Sequence, residues 1–231
     1  MNRIVTIARL QALGRRGALL WPLAILAIAL CTNLVVFASI SDTVDEQPVT
    51  GALASIYVAT LAFGAVAVTQ HLPFALGLSV TRREFTAGLA LFFAVQTIAY
   101  SVLLVVLQSI EVATNGWGLR LRMFGVGFLD DYSPPVQFAM YASPLLLMAI
   151  LGAGLGTLHA RWRVNGVLTG VAAAIVLLGG AAALIGYLHR WPDVGHWFAH
   201  TSPVALLAGW PLLVALLVGG ASYLALRRAT P

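Results

Sequence analysis

The sequence contains no lysine; all thirteen of its basic residues are arginine. That absence removes several chemistries. A P-loop needs a lysine on the nucleotide phosphates. A Schiff-base enzyme needs an amine nucleophile, and the Ser-x-x-Lys acyl enzymes need theirs. Cysteine is nearly absent as well. Cys31 stands alone inside an apolar run. No intrachain disulfide can form, a metal site would need other ligands, and the thiol reads as a small core residue. Charge is scarce, at 9% of residues against roughly 25% in a soluble domain.

What is present is hydrocarbon, 60% of 231 residues. Six runs are long enough to cross a bilayer, at 18–40, 51–70, 87–110, 138–158, 167–188 and 204–226. A crossing needs about 20 apolar residues at ~1.5 Å each. The expected fold is therefore an all-α membrane protein, a single transmembrane domain over 1–231 with six transmembrane helices. The first run is too long and uninterrupted for a signal-peptide core, so it is expected to be retained. An arginine-only, alanine-rich chain suits a GC-rich bacterial genome, and the expected location is the bacterial plasma membrane.

Arginine placement sets the orientation. With both termini cytoplasmic, the inner side holds Arg3, Arg9, Arg15, Arg16, Arg82, Arg83, Arg161, Arg163, Arg227 and Arg228, and the outer side only Arg120, Arg122 and Arg190. Of the acids, only Glu84 falls inside; Asp42, Asp45, Glu46, Glu111, Asp130, Asp131 and Asp193 fall outside. Segment 1–16 reads either as an interfacial helix on an anionic leaflet or as an ordinary basic flank.

Two outer loops are more than linkers. The loop 111–137 carries Trp117, Phe124, Phe128 and Tyr132, rings that commonly sit at headgroup depth. Within it Leu119–Met123 alternates like a short strand or an interfacial segment, and Pro134-Pro135 closes it. The loop 189–203, with Trp191, Trp197 and Phe198, is expected to form one or two short helices before the last span. Pro22, Pro144 and Pro211 predict local kinks. Gly152, Gly154, Gly156, Gly166 and Gly170 are spaced for close helix approach, within the chain or across a dimer seam.

Catalytic constellations are weak. Asp193, His196 and His200 share one loop, and the histidines are spaced i, i+4 as zinc ligands can be. There is no His-Glu-x-x-His pattern, and polar interfacial residues are the expected role, with no metal. Ser101 and Ser143 have no histidine at mid-span depth to activate them. No Asp, Glu, Arg or His lies mid-span, which disfavours ion-coupled transport. The mid-span polar groups are neutral. Gln96, Thr97, Tyr100, Ser101 and Gln108 fall within about 140° of a helical wheel. Together with Asn33 and Thr60 they either bond neighbouring helices or line a substrate path.

The sharpest local signal is Val80-Thr81-Arg82-Arg83-Glu84-Phe85. Thr81 and Glu84 are spaced as a capping box, and Val80 and Phe85 as its hydrophobic staple. Arg82 and Arg83 then occupy the first turn, where the helix dipole disfavours a cation by roughly 0.3–1 kcal/mol. Lipid phosphate or an acidic partner could offset that.

The stretch Leu72-Pro73-Phe74-Ala75-Leu76-Gly77-Leu78-Ser79-Val80-Thr81-Arg82-Arg83-Glu84-Phe85 resembles the cytoplasmic loop of bacterial ATP-binding-cassette exporter permeases of the type-2 (type V fold) class. Small members are similar in length, span number and cytoplasmic termini. The resemblance implies a coupling helix docked on a separate ATPase, with Pro73, Phe74, Leu76 and Leu78 in or near it and Arg82, Arg83, Glu84 and Phe85 at its edge. ATP and Mg would then belong to the partner, and this chain would hold no cofactor. It also implies a second permease protomer, identical or paralogous, and outward passage of an amphiphile (lipid, peptide or drug-like) between them. The long loop 111–137 departs from many members. Two other readings fit the same residues: a non-transporting assembly or sensor subunit, and a membrane enzyme built on His196, His200 or Ser101.

Overall fold

A computed structural model describes residues 16–40, 49–125 and 129–228. Segment 1–15, the acids Asp42, Asp45 and Glu46, and Phe128 lie outside the described residues, and with them the reading of an N-terminal interfacial helix. The described chain is almost wholly helical. Its helices are α1 (Arg16–Ile40), α2 (Ala54–Gly77), α3 (Arg82–Ala113), α4 (Pro134–Tyr187), α5 (Trp191–His200) and α6 (Trp210–Arg228). Five helical segments are long and apolar enough to cross a membrane.

Helix α4 is 54 residues long and contains two of the expected runs. It is not one rod. Arg163 has φ 57° and ψ −150°, outside any helical region. A Cβ placed on Gly166 would lie 2.9 Å from the carbonyl oxygen of Leu158. Eight residues of straight helix would separate those positions by about 12 Å. The chain therefore reverses at Arg163, and legs 134–162 and 164–187 meet there. Pro144 sits inside the first leg with no non-helical residue beside it. Pro211 follows a wide turn at Ala205–Gly209, where a ring without an N–H interrupts the regular ladder.

Lipid tails are as apolar as leucine, so close approach rather than water exclusion holds such helices together. The contact between α2 and the first leg of α4 shows this. A Cβ on Gly64 would overlap the carbonyl oxygen of Ala149, and one on Gly152 would overlap that of Leu61. Gly156 faces Ala65 and Val68 in the same seam. These glycines pack within the chain. Around the seam lie two buried clusters. One joins Val68 and Leu72 of α2 to Phe85, Leu89 and Phe92 of α3. The other joins Leu26, Ile56, Tyr100 and Leu104 to Phe124, Leu129 and Tyr141.

The second leg of α4 is different. From Val171 through Ala181 every residue is exposed, and Val176, Leu177 and Leu178 are each more than 70% accessible. Helix α5 follows, with Trp197 edge-on to Trp210 at the start of α6.

Candidate functional site: the α2–α3 tip and the polar hub at the opposite end

Helix α2 runs on through Pro73 and Phe74 to Gly77, seven residues beyond the expected span. Its end is closed by main-chain bonds. The N–H of Val80 donates to the carbonyl of Ala75 at 3.2 Å, and that of Ser79 to Leu76 at 3.1 Å. Ser79 itself is left-handed, with φ 58°. This is a Schellman finish, with serine where glycine is usual. Two residues later α3 begins. The Thr81 N–H donates to Glu84 Oε2 at 3.0 Å, and the Glu84 N–H donates to Thr81 Oγ1 at 3.2 Å. The capping box read from the sequence is present, and its staple partners Val80 and Phe85 share one cluster.

The tip therefore has an inside and an outside. Phe85 is 1% exposed and anchors the turn to the core. The Glu84 carboxylate is held by Thr81. Phe74, Leu76 and Leu78 are 63%, 39% and 56% exposed, an apolar patch at the end of a rigid hairpin. Arg83 is exposed in the first turn of α3. Thr86, Thr157 and Tyr223 line a single cleft, so the start of α3, the reversal at Arg163 and the end of α6 share this end of the bundle.

At the opposite end is a polar hub whose assembly the sequence reading missed. Glu111 is fully buried at the last turn of α3. Its carboxylate accepts the backbone N–H groups of Met123 (2.9 Å), Phe124 (3.0 Å) and Gly125 (2.8 Å). The indole N–H of Trp117 adds a 3.4 Å contact. Arg122 pairs with Asp130, and Asp130 accepts from Gln108 Nε2 at 3.1 Å. The Tyr141 hydroxyl lies 2.7 Å from the Phe124 carbonyl and 3.0 Å from Gln108 Oε1. Gln137 donates to the carbonyls of Leu129 and Tyr132. The loop after α3 is thus folded down as a plug, and Phe124 turns into the core instead of outward to headgroup depth. Over Leu119–Met123, where a short strand or an interfacial segment was expected, the chain leaves a wide turn at Gly116–Arg120 and makes an isolated bridge from Arg122 to Val49.

The candidate path residues are distributed among these contacts. Gln108 belongs to the hub. Asn33 accepts from Thr50 Oγ1 at 2.8 Å and so ties α1 to the segment before α2. Thr60 donates to the carbonyl of Ile56 in its own helix. Gln96 Nε2 donates to Tyr100 at 3.2 Å, while Gln96 Oε1 and Ser101 Oγ are buried without a hydrogen-bond partner. Thr97 is buried beside them. All but Asn33, which is half-buried, are enclosed within the chain itself. His196 and His200 stack at 3.8 Å on α5, exposed, and no group of three metal-ligating side chains occurs among the described residues.

No family model, no curated protein and no solved structure matches this chain.

Proposed function

We propose that this chain is the membrane-spanning permease subunit of an ATP-driven exporter in a bacterial plasma membrane. It crosses six times, the two legs of α4 being the fourth and fifth crossings, with both termini and the α2–α3 tip in the cytoplasm. The arrangement of arginines supports that orientation: Arg82, Arg83, Arg161 and Arg163 gather at the tip end, and Arg122 at the hub end carries its own counter-ion, Asp130. A separate cytoplasmic ATPase binds the nucleotide and Mg. This chain converts the ATPase's movement into outward passage of an amphiphile, and is not itself an enzyme. A second protomer, identical or paralogous, covers the exposed leg 164–187.

The observation that carries this reading is the patch of Phe74, Leu76 and Leu78. It is apolar, exposed, and mounted on a turn fastened on both sides by main-chain bonds. The test is affinity purification of the full chain from native membranes. A Walker-A ATPase should co-purify, and Phe74→Asp with Leu78→Asp should reduce its recovery at least tenfold without changing the melting temperature of the chain. Undiminished recovery refutes the docking site. Absence of any ATPase overturns the exporter reading and leaves the assembly or sensor subunit and the membrane enzyme.

A further inference from the structure

Helix α5 has two sides. On a wheel of about 100° per residue, Asp193, His196 and His200 fall within about 60° of one another, while Trp191, Val194 and Phe198 gather on the opposite side. Trp197, at the border between them, packs against Trp210 and ties the helix to the start of α6. Asp193 is engaged by Arg190 at 2.7 Å. The two histidines are exposed, and their rings stack at 3.8 Å with 14° between their planes.

One ring nitrogen is already assigned. His200 Nδ1 lies 2.9 Å from the carbonyl oxygen of His196. A carbonyl only accepts, so Nδ1 carries the proton and the neutral ring keeps its lone pair on Nε2. Metal-binding imidazoles are oriented in this way, with the second ring nitrogen donating to a carbonyl or a carboxylate. Spacing alone carries no metal, because any exposed helix can hold histidines four apart. The structure adds the fixed tautomer and the nearly parallel rings. Two nitrogens on one tetrahedral ion, each at about 2.0–2.1 Å, stand about 3.3 Å apart. Rings 3.8 Å apart reach that separation by small turns about their side-chain bonds.

We propose that His196 and His200 chelate one divalent transition-metal ion of the imidazole-seeking class, Cu²⁺, Ni²⁺ or Zn²⁺, through Nε2 of His200 and one ring nitrogen of His196. Mg²⁺ and Ca²⁺ take oxygen ligands and do not compete. No group of three ligating side chains occurs among the described residues. The remaining positions on the ion therefore belong to water or to a ligand brought by another molecule. The pair is a clip across the last turn of α5, not a catalytic centre. The proposal owes nothing to the ATPase, so the two tests fail independently.

The test is calorimetric titration of the full chain in detergent, purified without a histidine tag, with CuCl₂, NiCl₂, ZnCl₂ and MgCl₂. One Cu²⁺ should bind per chain, at least tenfold tighter than Zn²⁺, with no heat from MgCl₂. His196→Ala and His200→Ala should each weaken Cu²⁺ binding at least thirtyfold, since a chelate is lost whichever ring is removed. His159→Ala and His189→Asn should change it less than twofold. Both members of the pair are exposed, so their variants should elute as the wild-type chain does. Pulsed EPR of the Cu²⁺-loaded protein should detect two imidazoles in the wild type and one in each single variant. Affinity retained by both single variants, loss that follows His159 or His189 instead, or one imidazole in the wild type overturns the proposal.

Discussion

Glu111 and Gly125 are fourteen positions apart in sequence, yet the carboxylate of one accepts the backbone N–H of the other at 2.8 Å. With Met123 and Phe124 the same carboxylate gathers three successive main-chain donors out of reach of solvent. A buried acceptor of this kind cannot be removed without leaving those donors unpaired, at a cost of about 1–3 kcal/mol or more. Glu111→Ala should lower the unfolding free energy in detergent by about 2–4 kcal/mol. Glu111→Gln should also destabilise, because its NH2 would face donors. Limited proteolysis should then cut within the loop after α3, which the intact hub protects. Wild-type melting and protection in both variants would show that the carboxylate does not hold the plug.

The seam between α2 and α4 depends on the absence of side chains. Gly152→Leu should prevent the close approach to Leu61, at a cost of at least about 3 kcal/mol, and the chain should be recovered aggregated after detergent extraction. Gly219→Ala, where a methyl meets only ordinary contacts, should leave the melting temperature within experimental error. Size-exclusion profiles of the two variants make the comparison. Equal monodispersity would remove the seam from the account of stability.

Ser79 and Arg163 hold left-handed backbone without being glycine. Such a conformation costs a residue with a Cβ about 1–2 kcal/mol. Ser79→Gly should therefore raise stability by about 0.5–1 kcal/mol, and Ser79→Val should lower it by more. Arg163→Gly should stabilise the reversal of α4 in the same way, since its φ and ψ lie in a region nearly confined to glycine. Thermal melts in one detergent decide both, and a glycine variant that melts lower refutes the strain at that site.

The capping box tests separately. Thr81→Ala removes one acceptor and frees Glu84, and should cost about 1 kcal/mol. Thr81→Ser should restore most of it, because the hydroxyl is what the Glu84 N–H meets. Equal melting of the alanine and serine variants would show that the cap is not needed once the staple is packed.

What the sequence disclosed was local or compositional. Thr81 and Glu84 are three residues apart, and their bond needs nothing else from the chain. Apolar length announced the helices, and the arginine-bearing gap between the runs 138–158 and 167–188 announced the reversal found at Arg163. Pro73 lies inside α2. It removes one N–H from α2 without ending the helix, because the termination is made at Ser79 by carbonyls of the preceding turn. Glu111 looked like an ordinary acid after a span, since its donors come from a loop that must fold back before they converge. Phe124 looked like an interfacial ring for the same reason: the Tyr141 hydroxyl that fixes its backbone is seventeen residues away. Gln96, Thr97, Tyr100, Ser101 and Gln108 were legible as a face that avoids lipid, but not as members of separate contacts.

Helix α3 connects the two ends of the molecule by itself. It begins at the capping box, ends two residues after Glu111, and contains no proline and no non-helical residue along its 32 positions. At 1.5 Å per residue that is a strut of about 48 Å. The capping box at Thr81 and the buried carboxylate of Glu111 are therefore mounted on one uninterrupted rod, with no break in the helix between the tip and the hub.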